Sequence, residues 1–309
     1  MDELDITIIR RLLTDSRIPY SELAEGLGIS VQATQKRVEA MVRSGVIVRF
    51  TAKLSLRVVG YANGIAFGHS NETDPGRISA RLRSIDEVDA VMVSSGNVLH
   101  IILDIRSVDE LESLRARLRD AAIMDDLSLA VIPCNRFPDG QHDTIKLRPL
   151  DLRIIHAMRN NSRLPLCEIA DQVGVTAKTV SKSLDRLRRE GLIRMSIDYK
   201  PDQARAIMSF VYIKMDGGHR PVPGHAYFFN ACPNLVCTAP FSNLPDEMAY
   251  LMWSDTISDM RESLAQLAEG DSVSSVVPYV IHHYDHFPTW RDALLEDLVM
   301  NKSSFQVGI

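Results

Sequence analysis

The sequence predicts an α+β protein in which two winged helix-turn-helix modules are each followed by a ferredoxin-like βαββαβ domain. Three observations carry this prediction. A 44-residue segment occurs twice in the chain, at residues 4–47 and 150–193. Each copy is followed by alternating strand-like and helix-like segments. The 309 residues are 45% hydrophobic and 24% charged, which suits a globular chain of several domains.

The two copies align without a gap, and 14 of 44 positions are identical, among them Asp5/Asp151, Ser16/Ser162, Arg17/Arg163, Pro19/Pro165, Glu22/Glu168, Gly28/Gly174, Lys36/Lys182, Arg43/Arg189 and Gly45/Gly191. In the first copy Leu4, Ile8, Ile9, Leu12 and Leu13 recur at helical spacing. Asp15-Ser16-Arg17 breaks that helix, and Pro19 opens a short second one over Tyr20 to Leu27. Gly28 supplies a tight turn, and Ser30 caps a third helix that Gly45 ends. Val46 to Leu54 is β-branched and basic, and reads as a strand or wing. The second copy repeats this with Gly174, Thr176 and Gly191.

After the first module, Gly60 to Gly68 is extended and apolar, and Pro75 to Ile85 has a helical pattern. Val88 to Ser94 and Val98 to Ile105 form a hairpin about Gly96-Asn97. Val108 to Ala121 is a second helix, and Leu127 to Ile132 a last strand. The second round is less regular. Its strands are Ile207 to Met215, Val236 to Phe241, Met248 to Trp253 and Val273 to Ile281; its helices are Ala226 to Ala231 and Ile257 to Leu267. Thr289 to Asn301 adds a C-terminal helix. The expected domains are 1–54, 55–145, 146–200, 201–287 and a tail, 288–309.

Three helices with a glycine turn before the third form a helix-turn-helix, whose third helix presents its start to a major groove. The candidate DNA readers are Gln32, Thr34, Gln35, Lys36 and Arg37 in the first copy, and Lys178, Thr179, Ser181, Lys182 and Arg186 in the second. Their amides, hydroxyls and cations suit base edges and phosphates. Residues 1–53 hold 8 Lys/Arg against 7 Asp/Glu, while residues 146–200 hold 12 against 6. The whole chain is at −5, so the basic charge is concentrated in the second module, which should hold DNA more tightly.

On LDITIIRRLLTDSRIPYSELAEGLGIS…QKRVEAMVRSGVI and its second copy, the chain resembles the Lrp/AsnC family of feast/famine transcription regulators. The resemblance implies DNA binding through the helical modules, pairing and further homo-oligomerisation through sheet domains of the family's ligand-binding type, and a small-molecule effector such as an amino acid. The family carries one copy per chain, so this tandem should form a pseudo-dimer within itself. The family's hairpin G-x-x-D pattern is missing, because Asn97, Val98 and Leu99 follow Gly96. Ser95, Gly96 and Asn97 are the candidate ligand residues that remain, beside a plain turn.

His282, His283 and His286 form a second cluster with metal or haem potential, or else a polar segment before the last helix. No P-loop, dinucleotide fingerprint or nucleophile–base pair is present. Four scattered cysteines and an acidic N-terminus without a signal-peptide pattern lead to a cytoplasmic expectation, and no apolar run is long enough to span a membrane. The resulting reading is a regulator of double-stranded DNA with two unequal readers, no cofactor and no enzymatic activity. The alternative is a siroheme decarboxylase-like tetrapyrrole enzyme, or a haem or metal sensor, on the same architecture.

Overall fold

The computed structural model describes residues 1–309 apart from 60–61, 133–144, 205, 217–231, 233, 271, 302–304 and 308–309. The first module is α1 (Glu3–Thr14), α2 (Tyr20–Leu27), α3 (Val31–Arg43) and β1 (Ile47–Leu54). A short helix α4 (Leu56–Val59) leads to the first sheet half: β2 (Ala62–His69), α5 (Pro75–Leu82), β3 (Val88–Ser94), β4 (Val98–Ile105), α6 (Leu111–Ala122) and β5 (Ser128–Ile132). Then come β6 (Ile145–Leu147) and the second module, α7 (Pro149–Met158), α8 (Leu166–Val173), α9 (Ala177–Arg189) and β7 (Ile193–Tyr199). The second half has β8 (Ile207–Met215), β9 (Leu235–Pro240), β10 (Glu247–Ser254), α10 (Ile257–Ala268) and β11 (Val273–His286), then α11 (Trp290–Met300) and β12 (Phe305–Val307).

Local chemistry sets the helix limits. The Asp2 carboxylate accepts from the Asp5 amide, and the Asp5 carboxylate accepts from the Asp2 amide, which closes the α1 capping box. Ser30 accepts from the Ala33 amide, and Thr176 from the Thr179 amide. Gly28 and Gly174 end α2 and α8 at φ +66° and +68°, with no atom within 4 Å of where a Cβ would sit. Glycine is needed there for its left-handed backbone, not for space.

The modules lock together as a reciprocal pair. The Ser16 amide donates to the Met195 carbonyl and the Ser162 amide to the Phe50 carbonyl, while the two serine hydroxyls bond each other. Arg17 donates to the carbonyls of Ser162 and Leu164; Arg163 donates to those of Ser16 and Ile18. Residue i meets j and j meets i, which is the mark of a two-fold interface. The strands expected as wings pair with each other instead: β1 and β7 form an antiparallel ribbon from Ile47↔Tyr199 to Leu54↔Ile193. Helix α1 packs against β7 and α7 against β1, so each module leans on the other's strand.

All the central strands join in one eight-stranded sheet, ordered β5-β2-β4-β3-β11-β8-β10-β9. The two halves are therefore edge-joined through β3 and β11, with the 14-residue β11 pairing with β8 first and β3 afterwards. The sheet is strongly curled. Phe67 on β2 and Tyr212 on β8 lie four strands apart, about 19 Å in a flat sheet. Their ring centroids are 4.6 Å apart. The two ends of the sheet are tied by Asn243, whose side-chain oxygen accepts from the Val131 amide and whose amide donates to the Leu129 carbonyl, both at 2.8 Å. The concave face is covered by the first module, where Ile6, Ile9 and Leu12 share a core with Phe210, Leu251 and Trp253. Helices α5 and α6 cover the convex side of the first half, over Val91, Leu99, Ile101 and Leu103.

The strands expected over 88–94, 98–105 and 207–215 occur with those limits. Strand β11 runs five residues past the expected Ile281, because β3 offers it a second partner. The helix expected over Ala226 to Ala231 lies outside the described residues.

Candidate nucleic-acid interface

On α3, Gln32, Gln35 and Lys36 are exposed. They sit at i, i+3 and i+4 and so share one face. On α9, Lys178 and Lys182 are exposed and Ser181 is half-buried, at the three equivalent positions. The remaining expected readers are committed elsewhere. Thr34 is fully buried, and its hydroxyl donates to the Ser30 carbonyl at 3.2 Å. Arg37 is ion-paired to Asp2 and Asp5 at 2.8 Å, and its hydrogen bond to Asp5, then that to Asp2, hold the guanidinium more firmly protonated against its partial burial. Thr179 belongs to the α9 cap, with its hydroxyl 2.9 Å from that of Thr176. Arg186 pairs with the buried Asp151 and with Glu190. Burial removes Thr34 from the surface that would meet DNA, while Arg37, Thr179 and Arg186 are part-exposed with their side chains engaged in internal salt bridges or the α9 cap. Arg43 and Arg189, an identical pair of the repeat, are exposed at the ends of the same two helices. They extend the exposed cationic surface of both helices, and their identity in the two copies is visible in the sequence.

The hairpin residues are also occupied. Ser95–Asn97 form a single 3-10 turn with Gly96 at φ +72°. The Asn97 amide donates to the carbonyls of Ser70 and Glu72, and the Ser95 hydroxyl accepts from the Val280 amide at 3.1 Å. This is the plain turn, used as a tie between the sheet halves. The histidines do not converge. A register shift between Ile281 and His283 breaks the alternation of β11, and His282 is exposed. His283 lies against Ser79 of α5 at 3.3 Å and Asp285 at 3.1 Å. His286 lies between Asp89 (3.3 Å) and Asp198 (3.4 Å). Among the described residues no three His, Cys, Asp or Glu side chains gather as a metal-binding group.

Beneath the β1–β7 ribbon lies a half-open cavity of about 390 Å³, walled by both the ribbon and the concave sheet face. Its wall carries two ion pairs, the half-buried Lys53–Asp89 at 2.8 Å and the buried Arg291–Asp104 at 2.7 Å. Burial works to raise the Asp89 carboxyl, but Lys53, His286 and Arg291 overcome it and hold the group well below the usual range. At Asp104 burial prevails over Arg291, and the carboxyl lies above its ordinary value. Arg291 also donates to the Leu54 carbonyl, which connects α11 to the ribbon. Deeper in the sheet, burial pushes His100 down to about 3, so it is a neutral ring stacked on Phe210 at 4.5 Å.

Two helix-turn-helix units held in two-fold register by a shared sheet define a paired nucleic-acid-binding scaffold. Comparison with known proteins agrees. Residues 1–42 match the AsnC-type helix-turn-helix domain, and residues 147–194 match a winged helix-turn-helix DNA-binding domain. LrpA of Mycobacterium tuberculosis is 31% identical over 146 residues, which is 46% of this chain and 96% of that protein. AsnC of Escherichia coli is 32% identical over 116 residues, 36% of this chain and 76% of the relative. The chain belongs to the Lrp/AsnC family of helix-turn-helix transcription regulators.

The double-length architecture has its own counterparts. Two structures of the siroheme decarboxylase NirDL, one in co-complex with an iron-uroporphyrin III analogue, cover 97% and 98% of this chain and 99% and 100% of their own. Their TM-scores are 0.54 and 0.55 at 13% and 12% identity, a likeness of fold alone. It nonetheless corrects the expectation that this chain is not an enzyme, because an enzyme is built on this same tandem fold. Among the described residues no helix is long and apolar enough to cross a membrane.

Proposed function

We propose that this chain is a DNA-binding transcription regulator that carries two readers in one polypeptide. The observation that supports the reading is the pair of equivalent exposed faces, Gln32/Gln35/Lys36 and Lys178/Ser181/Lys182, on modules tied reciprocally through Ser16, Arg17, Ser162 and Arg163. A fixed two-fold pair of third helices suits successive major grooves on one face of a duplex. The paired ribbon and curled sheet set their separation.

The two faces differ in chemistry. The first offers two amides and one cation, suited to base edges; the second offers two cations and a hydroxyl, suited to phosphate. The operator should therefore be asymmetric, and the second module should supply most of the salt-dependent affinity. The reading places the protein in the cytoplasm, where its DNA is, and allows further homo-oligomers. Selection from a random duplex pool across a salt series tests it. Convergence on an asymmetric site supports two unequal readers; enrichment of a perfect palindrome, or no salt-sensitive binding, refutes them.

A further inference from the structure

The cavity under the ribbon is not explained by DNA reading. Its charges are unequal once pairs are removed. Each carboxylate in its wall has a cation: Asp89 has Lys53, Asp104 has Arg291, and Asp198 has Arg49 from outside the wall. Arg194 is left over. It lines the cavity, is exposed, and among the described residues has no carboxylate partner. Close to it are Cys237, an exposed residue whose thiol burial nonetheless pushes up to about 11, and an apolar surface that includes Leu251, Ile132 and the ring of Phe210. A guanidinium beside an apolar wall, in a space of small-molecule size, is a site for an anion with a hydrophobic body.

We propose that this cavity binds a small organic monoanion, a carboxylate whose oxygens pair with Arg194 and whose apolar body rests on Phe210, Ile132 and Leu251. Zwitterions are disfavoured, because an added ammonium would meet only carboxylates that Lys53, Arg291 and Arg49 already neutralise. The site also has a mechanical output. Arg194 sits on β7, opposite Lys53 of β1, and these strands run directly from α9 and α3. An occupant would brace the ribbon that spaces the two third helices. This coupling rests on the DNA-binding reading; the binding site does not.

The test uses the full chain, with Cys237 as reporter. Its alkylation by iodoacetamide is followed by mass spectrometry of the Cys237 peptide, with 3-phenylpropionate as probe and 3-phenylpropanamide and phenylalanine as controls. The expected result is about tenfold slower alkylation at a probe concentration ten times its Kd, with little protection by the neutral amide or the zwitterion. Arg194→Ala should abolish protection, and Arg194→Lys should retain part of it, because the charge stays while the two-pronged geometry goes. Circular dichroism shows whether both variants are folded. Equal protection by acid and amide, equal protection by phenylalanine, no protection by the acid, or unchanged protection in folded Arg194→Ala would each overturn the assignment. Protection without any change in DNA affinity would keep the site and remove the coupling; loss of DNA binding altogether would leave the protection result standing by itself.

Discussion

Arg291→Met attacks a residue that joins the C-terminal helix, the first sheet half and the ribbon. Arg291 and Asp104 are 4% and 1% exposed, so the variant leaves a carboxylate in the interior without its cation. Removing one partner of a buried pair costs about 3–5 kcal/mol. The Leu54 carbonyl would also lose its donor at 3.1 Å. Against this, Asp104 keeps the Thr289 hydroxyl at 3.0 Å and the Asn63 amide at 3.1 Å. A loss of about 3 kcal/mol at pH 7 is the balance, read by urea denaturation of the whole chain followed by far-UV circular dichroism. The sign of the pH dependence is a sharper check. Burial holds the Asp104 carboxyl above its ordinary 3.8, and losing Arg291 raises it further. A protonated Asp104 needs no cation, so the cost of the variant should shrink as pH falls. Adding Asp104→Asn should recover much of the loss for the same reason. A cost below about 1 kcal/mol, the value of a surface pair, or a cost equal at pH 7 and pH 4.5, would refute the reasoning.

Other perturbations have similarly definite outcomes. Lys178→Ala with Lys182→Ala should weaken binding to any duplex and lower the salt slope by about 2, one for each phosphate no longer neutralised, as read in fluorescence anisotropy titrations. Asp89→Asn should flatten the acid side of the stability profile. The wild-type carboxyl sits below its ordinary 3.8, so its contribution is present above that value and is lost as pH falls through the depressed pKa. Gly174→Ala should cost only about 1–2 kcal/mol in urea denaturation, because φ is +68° and open space surrounds the added methyl. Gly68→Ala should unfold the first sheet half, because its Cβ would lie 2.0 Å from the Asp126 carbonyl oxygen. Asn243→Ala should loosen the tie between β5 and the second half by about 1–3 kcal/mol, seen as faster hydrogen exchange at the Val131 amide, which loses its acceptor.

Much of the local structure is legible in the sequence. Period-3.6 apolar positions, Ser30 and Thr176 as caps, and Gly28 and Gly174 as turns are statements about neighbours along the chain, and local sterics decide them. The repeat also singles out Ser16, Arg17, Ser162 and Arg163. It does not show why they matter, because their partners are each other across 146 residues. The candidate site is half legible. Exposure at Gln32, Gln35, Lys36, Lys178 and Lys182 follows from helical spacing, whereas the capture of Arg37 by Asp2 and Asp5, and of Arg186 by Asp151, depends on how α3 meets α1 and α9 meets α7.

The modules, their order and their unequal charge can be read along the chain, because periodicity, capping and composition are properties of short stretches. Tertiary structure decided how the two copies combine. The wings became a ribbon because each found the other as its partner, and β11 lengthened because a second edge lay beside it. His283 and His286 point apart by ordinary strand alternation, and the register shift before His283 takes His282 off the face it would have shared with His286. The cavity, with Arg194 in its wall, exists only because strands from both halves meet there. Pairing of carboxylates with cations depends on distances of a few ångströms between residues far apart in sequence, and no one-dimensional pattern encodes those.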